Sequence, residues 1–174
     1  MKIDPALAAS AEQSIRSIYK AAKEHIEPMS KAFLLAIADV RFPAPGSATI
    51  YAELDPRDGQ CRYIGSTSVD PIRRLAFKML DIKDEGSAHT MWVRELKSQG
   101  WIPVTVPISF APKHVKGKIN DSLMALLEAY YIHSLKGRYQ LLNVNDPRTG
   151  DVLIDCDAPS LAKQFRVRIL ESNP

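Results

Sequence analysis

The stretch QCRYIGSTSVDPIRRLAFKML, residues 60–80, places a strand, a bend and a helix in close succession. Its first part is rich in strand formers, and Gly65 ends that part where a missing side chain lets another group approach the backbone. Asp70 is a natural N-cap, and Pro71 suits the first helical position. The pattern therefore predicts that Tyr63 and an arginine of the helix are directed toward one place.

The helix that begins after Asp70 has an apolar side and a polar side. At about 100° per residue, Arg74 and Lys78 point the same way. The apolar side carries Ile72, Leu75, Ala76 and Met79. A solvated polar face is one interpretation of the two cations, and a cationic shelf for phosphate oxygens is the other.

A second strand precedes this stretch. ATIYAEL (48–54) is rich in strand formers and is joined to QCRYIGS by the turn-forming DPRDG, which predicts a hairpin. A five-residue loop without a bulge makes the pairing symmetric about Arg57, so Tyr51 should lie directly opposite Tyr63. Such a pair is either a stabilising aromatic contact or part of a site.

The segment before the hairpin reads as two helices and a linker. Asp4 caps the first helix, which we expect to run to about Ile26 before Pro28 breaks it. Ser30 can cap the second helix, and the proline-rich RFPAPGS (41–47) follows as a linker.

Two further elements follow the arginine helix. A helix beginning near SAHTMW and ending at Gly100 leads into PVTVPISF, whose β-branched residues predict a strand. The loop APKHVKGK after it contains Lys113 and Lys116. These lysines either contact phosphates or are simply solvated.

The helix predicted for residues 120–137, NDSLMALLEAYYIHSLKG, is apolar nearly all round. Glu128 is the only carboxylate after its first turn. Burying an unpaired carboxylate costs several kcal/mol, so Glu128 needs a cation, a metal ion or a proton as partner. A buried salt bridge and a metal site both satisfy this requirement.

Composition narrows the class of protein. With 174 residues, 45% of them hydrophobic and 25% charged, the chain can form one globular core. A balance of 23 basic to 20 acidic residues permits a nucleic-acid partner without requiring one. Two cysteines without a CxxC pair indicate neither zinc nor a disulfide framework, and no apolar run approaches the roughly 18 residues of a membrane span. We therefore expect a cytoplasmic protein without a membrane partner.

The histidines show no metal-ligand spacing, which predicts surface or packing roles for them. They are His25, His89, His114 and His133.

Taken together, these segments resemble the GIY-YIG nuclease superfamily. TIY at 49–51 and YIG at 63–65 are similar to its two signature strands, although Thr49 replaces the first glycine. DPIRRL is similar to the helix that presents its arginine, and LLEAYYI to the helix that presents its glutamate. LLN at 141–143 is similar to the segment with its closing asparagine. The similarity covers about residues 48–146, with the motifs in the family's order.

The resemblance implies an α/β (α+β) fold, with a small three-stranded antiparallel sheet flanked by helices. The implied catalytic domain spans residues 47–146, between an N-terminal helical extension with its linker at 1–46 and a C-terminal extension at 147–174. The implied activity is hydrolysis of DNA phosphodiester bonds by an endonuclease that uses Mg²⁺ or Mn²⁺. A non-catalytic module of the same fold, binding nucleic acid or protein, is the alternative.

The resemblance also implies roles for individual residues. Glu128 is the expected metal ligand, and Arg74 is expected to hold a non-bridging phosphate oxygen. Counting from YIG instead of from the helix cap would select Arg73. Tyr51 is the expected general base or its relay, and Tyr63 is expected to hydrogen-bond to the same water or phosphate.

Asn143 completes the expected catalytic set by bracing the site. The residues expected to bind substrate are Gly65, Ser66, Arg73, Lys78, Lys113 and Lys116.

Overall fold

The computed structural model describes residues 3–41, 46, 48–80, 87–111 and 121–145. Within these ranges it contains five α-helices, one three-stranded antiparallel sheet and a short 3₁₀-helix. The expected fold class, a small antiparallel sheet flanked by helices and preceded by a helical extension, is confirmed. The expected C-terminal extension and the loop with Lys113 and Lys116 lie outside the described residues.

The elements follow one another in this order: α1 (Pro5–Ala21), α2 (Lys23–Ala36), β1 (Ala48–Leu54), β2 (Cys61–Thr67), α3 (Pro71–Leu80), α4 (Ala88–Ser98), β3 (Val104–Ala111), α5 (Asp121–Leu135) and the 3₁₀-helix (Leu142–Asn145). Among the described helices, none has the length and apolar character needed to cross a bilayer.

The boundary between α1 and α2 differs from the prediction. Asp4 caps α1 as expected, since its Oδ1 accepts a hydrogen bond from the Ala6 N–H at 2.9 Å. The first helix ends before Ala22, however, and Pro28 lies within α2. A proline inside a helix removes one backbone hydrogen bond. Burial of Phe33 in the main core, later in α2, offsets that cost.

The cap of α3 and the start of α4 agree with the prediction. The Asp70 carboxylate accepts a hydrogen bond from the Ile72 N–H at 2.8 Å and so fixes where α3 begins. Ser87 caps α4 by accepting from the Thr90 N–H at 3.1 Å. Gly100, just beyond α4, has the positive φ of 78° that favours glycine after a helix.

β1 is the central strand of the sheet, between β2 and β3. The predicted register of the hairpin is wrong, because Tyr51 pairs with Gly65 while Tyr63 pairs with Glu53. The loop closes one residue further along than expected, between Asp55 and Gln60, and a bulge between β1 and β2 shifts the register by one more. A total shift of two residues keeps both tyrosines on the same face.

The two faces of the sheet pack against different helices. Ile50, Ala52 and Leu54 of β1 face the main core, which α2 and α5 complete. Tyr51 and Glu53 alternate with them and face the side where α3 and α4 lie. The polar residues that matter for function are therefore on the α3 and α4 side of the sheet.

α1 is packed onto α3, the helix of the two arginines. Ile15 of α1 shares a hydrophobic cluster with Leu75 of α3. Arg16 forms an ion pair with Asp70, the residue that caps α3, at 3.1 Å. The Tyr19 hydroxyl accepts a hydrogen bond from the N–H of Thr105 in β3 at 2.9 Å. The N-terminal helix thus fixes α3 against the sheet.

Candidate functional site

Tyr51 and Tyr63 meet above Gly65. A Cβ atom at Gly65 would lie 2.7 Å from both Cζ and Oη of Tyr51 and 2.8 Å from Cε1 of Tyr63. These distances are too short for a carbon contact, so only glycine leaves room for both rings. The two tyrosines of the motif strands therefore share one position on the sheet, as diagonal neighbours across the hairpin.

Tyr51 is nearly buried, with 3% of its surface exposed. Burial raises the pKa of its phenol well above the ordinary value, and the neighbouring Glu53 and Tyr63 add to this effect. The positive charge of Arg74 opposes it without cancelling it. The described residues thus favour the protonated phenol at neutral pH, and in this form the Tyr51 hydroxyl is able to donate a hydrogen bond.

The two arginines of α3 have different surroundings. Arg74 is exposed, and its charge reaches the site, where it lowers the pKa of Glu53 and partly offsets the rise at Tyr51. Arg73 is also exposed, but its guanidinium lies over the ring of Phe77, 5.6 Å from the centroid. The cap at Asp70 sets this phase, so Arg74 is the arginine near the tyrosines.

Glu128 reaches the site from α5. It is half-buried, and its Oε2 accepts a hydrogen bond of 2.5 Å from the hydroxyl of Ser66, the residue after Gly65. Its negative charge also contributes to the pKa values of Tyr51 and Lys78, tending to raise both. The carboxylate therefore lies beside the tyrosine and arginine cluster, with a serine hydroxyl as one of its partners.

Asn143 closes the outer edge of β2. Its Oδ1 accepts from the Ile64 N–H at 2.9 Å, and its Nδ2 donates to the Ile64 carbonyl at 2.7 Å. Only 2% of its surface is exposed. A single amide thus satisfies both backbone groups of Ile64, between Tyr63 and Gly65. Asn143 holds the strand that carries these residues.

Sequence reasoning missed two residues of this cluster, Glu53 and His89. The imidazole of His89 contacts the Glu53 carboxylate through Nε2 at 2.5 Å, and both side chains are buried. The His89 ring also stacks on Tyr63, with 3.6 Å between ring centroids. One signal was present: Glu53 is two residues from Tyr51 and therefore on the same face of a strand that is otherwise largely apolar.

Lys78 joins this pair to the tyrosines. Its ammonium contacts Nδ1 of His89 and lies 4.6 Å from the centroid of the Tyr63 ring. Burial lowers the pKa of Lys78, and Arg74 lowers it further. Lys78 is thus a half-buried cation at the site, not a solvated lysine of an exposed face.

The ionisation of Glu53 and His89 follows from the same surroundings. Burial by itself opposes the Glu53 carboxylate, but His89, Lys78 and Arg74 outweigh burial and lower the pKa of Glu53. Burial also lowers the pKa of His89, with Lys78 acting in the same direction. At neutral pH this favours an ionised Glu53 and a neutral His89.

In the part of the chain that the structure describes, no three or more His, Cys, Asp or Glu side chains form a metal-binding group. A site built by many protein ligands is therefore not present there. A carboxylate beside a hydroxyl, as Glu128 lies beside Ser66, nevertheless suits Mg²⁺, which usually takes one or two carboxylates and completes its shell with waters and phosphates.

No family model, curated protein or solved structure matches the chain. Functional inference therefore depends on the site itself.

Proposed function

We propose that this protein is a metal-dependent endonuclease that hydrolyses DNA phosphodiester bonds with a site of the GIY-YIG type. The observation that supports this most is the convergence of four side chains from separate segments. Tyr51 of β1 and Tyr63 of β2 meet at Gly65, and Arg74 of α3 and Glu128 of α5 lie near enough for their charges to act on Tyr51. Phosphodiester hydrolysis requires an oriented water and stabilisation of the charge on the phosphate oxygens, tasks that a phenol, a guanidinium and a metal-holding carboxylate can divide among them.

In this proposal Glu128 holds the metal ion. When bound, Mg²⁺ or Mn²⁺ supplies positive charge to the phosphate oxygens and to the departing 3′ oxygen. A carboxylate facing a polyanion would weaken DNA binding if it held no cation. The hydroxyl of Ser66 orients Glu128 by donating to Oε2.

The other side chains bind and orient the substrate. Arg74 holds a non-bridging phosphate oxygen through its planar donors. The Tyr51 hydroxyl orients the attacking water and relays its proton: it accepts the proton of the water as it donates its own to an oxygen of the bound phosphate, so a phenol with a raised pKa need not ionise first. Tyr63 contacts the same water or phosphate. Asn143 keeps the strand between them in place by its two bonds to Ile64.

A non-catalytic module that binds nucleic acid or protein is the second candidate. The near-complete burial of Tyr51 favours it, because a general base must reach solvent or substrate. The two functions differ in one measurable respect, since a binding module has no need for the carboxylate of Glu128.

A nicking assay on supercoiled plasmid separates these functions. In Mg²⁺, we expect the parent to nick DNA, Glu128→Gln to lose at least about 100-fold in rate, and Tyr51→Phe to lose about 10²–10⁴-fold. Glu27→Gln, on the exposed surface of α2, is the matched carboxylate control. Tyr139→Phe, whose ring packs on Phe33, is the control for removal of a hydroxyl. Both controls should cut at the parental rate.

Two results would refute the nuclease. Equal nicking by the parent, Glu128→Gln and Tyr51→Phe would show that the cutting comes from elsewhere. An inactive parent on single-stranded, duplex and branched DNA, tested with Mg²⁺ and with Mn²⁺, would favour the binding module. In that event, retention of a fluorescent duplex by the parent and by Glu128→Gln alike would identify nucleic acid as its ligand.

A further inference from the structure

We infer that Glu53 and His89 are positioning residues that hold the ammonium of Lys78 over Tyr63, where Lys78 binds an oxygen of the substrate phosphate beside Arg74. This inference rests on the proposed function and deepens it. It adds the two buried residues that orient Lys78, which is already among the residues expected to bind substrate. The motif residues of the hairpin reveal neither Glu53 nor His89.

The three side chains form one continuous chain of contacts. Glu53 Oε2 lies 2.5 Å from His89 Nε2, and His89 Nδ1 contacts the Lys78 ammonium. The chain starts on β1, crosses α4 and ends on α3. The ammonium then lies 4.6 Å from the centroid of the Tyr63 ring, within the range of a cation–π contact.

Hydrogen-bond chemistry gives this chain a direction. An ionised carboxylate can only accept, so His89 must donate to Glu53 from Nε2. In the neutral imidazole Nδ1 then carries the lone pair and accepts from the ammonium of Lys78. An ammonium has three N–H donors, and the bond to His89 uses one of them. Lys78 can thus be fixed by His89 and still donate to a phosphate.

Burial makes this arrangement costly to maintain. Glu53 is 1% exposed and His89 is 4% exposed, so removing both side chains from water costs free energy. An apolar pair of similar volume would stabilise the sheet without that cost. The hydrogen-bonded pair of Glu53 and His89 instead directs the positive charge of Lys78 toward the face shared by Tyr51 and Tyr63, which is a functional use of buried polar groups.

Charged groups from four elements act on Lys78. Glu53 of β1 and Glu128 of α5 favour the charged form of Lys78, while Arg74 of α3 opposes it. His89 of α4 accepts a hydrogen bond from the Lys78 ammonium. An incoming phosphate adds negative charge to this balance. Substrate binding therefore strengthens the charge of Lys78 where it is used.

Nuclear magnetic resonance of ¹⁵N-labelled protein tests the chain without requiring DNA cleavage. In the parent, we expect His89 to be neutral at neutral pH with its proton on Nε2, because burial lowers its pKa. Lys78→Met should move the Nδ1 resonance to the position of a nitrogen without a donor, and Glu53→Gln should mix the two tautomers. The exposed His133 gives an internal reference in the same spectra, unchanged by either substitution.

Kinetics test whether Glu53, His89 and Lys78 together help to bind the substrate phosphate. Lys78→Met should reduce kcat/KM for DNA by about 10–100-fold, and Glu53→Gln by about 10-fold. In the Lys78→Met background, Glu53→Gln should cost less than about 2-fold, because a positioning residue acts only through the group it positions. The controls are Lys97→Met and Glu27→Gln, both exposed. Thermal unfolding of each variant separates loss of rate from loss of fold.

The outcomes distinguish this inference from the proposed function. An inactive parent would refute the nuclease. An Nδ1 resonance of His89 that does not change in Lys78→Met would refute the contacts from Glu53 through His89 to Lys78, whether or not the protein cuts DNA. Additive losses in the double variant, with the expected spectra, would overturn the positioning role and leave Glu53 as a structural residue.

Discussion

Replacing Gly65 by alanine tests the central contact of the site. The new Cβ would lie 2.7 Å from two atoms of the Tyr51 ring system and 2.8 Å from Cε1 of Tyr63. To reach the 3.4 Å of an ordinary contact, each ring must retreat by about 0.6–0.7 Å. The surroundings resist this movement, because Tyr51 is buried and Tyr63 stacks on the ring of His89.

The expected loss of stability follows from these contacts. Overpacking of a rigid site costs about 1–3 kcal/mol. Alanine recovers about 0.5–1 kcal/mol, because glycine is unfavourable within a strand. The difference between these ranges is about 0–2.5 kcal/mol, and from its centre we expect the free energy of unfolding to fall by about 1–1.5 kcal/mol. With a denaturant slope of about 2 kcal/mol per M, the urea midpoint falls by about 0.5–0.8 M.

Urea unfolding monitored by circular dichroism measures this change, and plasmid nicking measures its effect on the displaced tyrosines. Gly137→Ala is the matched control, since nothing lies within 4 Å of its new Cβ. That variant should be as stable as the parent or more stable by up to about 1 kcal/mol. If Gly65→Ala unfolds at the parental midpoint and keeps the parental rate, the two rings do not meet above Gly65 as described.

Three further predictions concern the surroundings of the site. Asn143→Ala leaves the buried N–H and carbonyl of Ile64 without the partner that Asn143 provides, so the free energy of unfolding should fall by about 2–4 kcal/mol. Hydrogen exchange at the Ile64 amide should accelerate, and unchanged protection would contradict the contact. Arg74→Ala should slow DNA nicking by about 100-fold and Arg73→Ala by less than about 3-fold, whereas equal losses would mean that the cap at the start of α3 does not set the active arginine. The pKa of Asp55 is about 2, because its charged hydrogen bonds outweigh burial. A carboxylate with a lowered pKa stabilises the fold above its unfolded pKa of about 4, and this contribution is lost as the pH falls toward 2. Between pH 5 and pH 2 the free energy of unfolding of the parent should therefore fall by up to about 2 kcal/mol more than that of Asp55→Asn. Urea midpoints that run parallel for both proteins across this range would refute the prediction.

Features encoded by neighbouring residues were predicted correctly from the sequence. Asp70 and Pro71 fix the start of α3 through backbone N–H groups two and three residues away. The phase of the helix follows from that cap, and with it the direction of Arg74 and Lys78. Such local interactions depend little on the remainder of the fold, and they can therefore be predicted from neighbouring residues in the sequence.

Features that depend on tertiary packing could not be predicted in the same way. The bulge that offsets Tyr51 from Tyr63 leaves no mark in the strand pattern, because the period of two survives a shift of two residues. Pro28 ends a helix by local rules, yet it lies inside α2, where Phe33 packs into the core. His89 lies 36 residues from its partner Glu53, so no spacing rule connects them.

The candidate site named from the sequence lacks two residues that the structure places beside Tyr63 and Lys78, namely Glu53 and His89. Sequence motifs named the tyrosines, Arg74 and Glu128, and the structure brings these residues together. The Glu128 carboxylate satisfies its need for a partner in part through the Ser66 hydroxyl, which neither of the two expected interpretations included. Their roles in cleavage remain predictions for the nicking assay.

The amide of Asn143 reaches back 79 residues to Ile64, and this distance constrains how the protein is made. During translation the hairpin can form early, but its outer edge stays open until the ribosome has released the segment around residue 143. A nascent chain therefore exposes an unpaired strand edge while the segment between the end of β2 and Asn143 is synthesised. Any activity of this site can begin only after that late segment has docked.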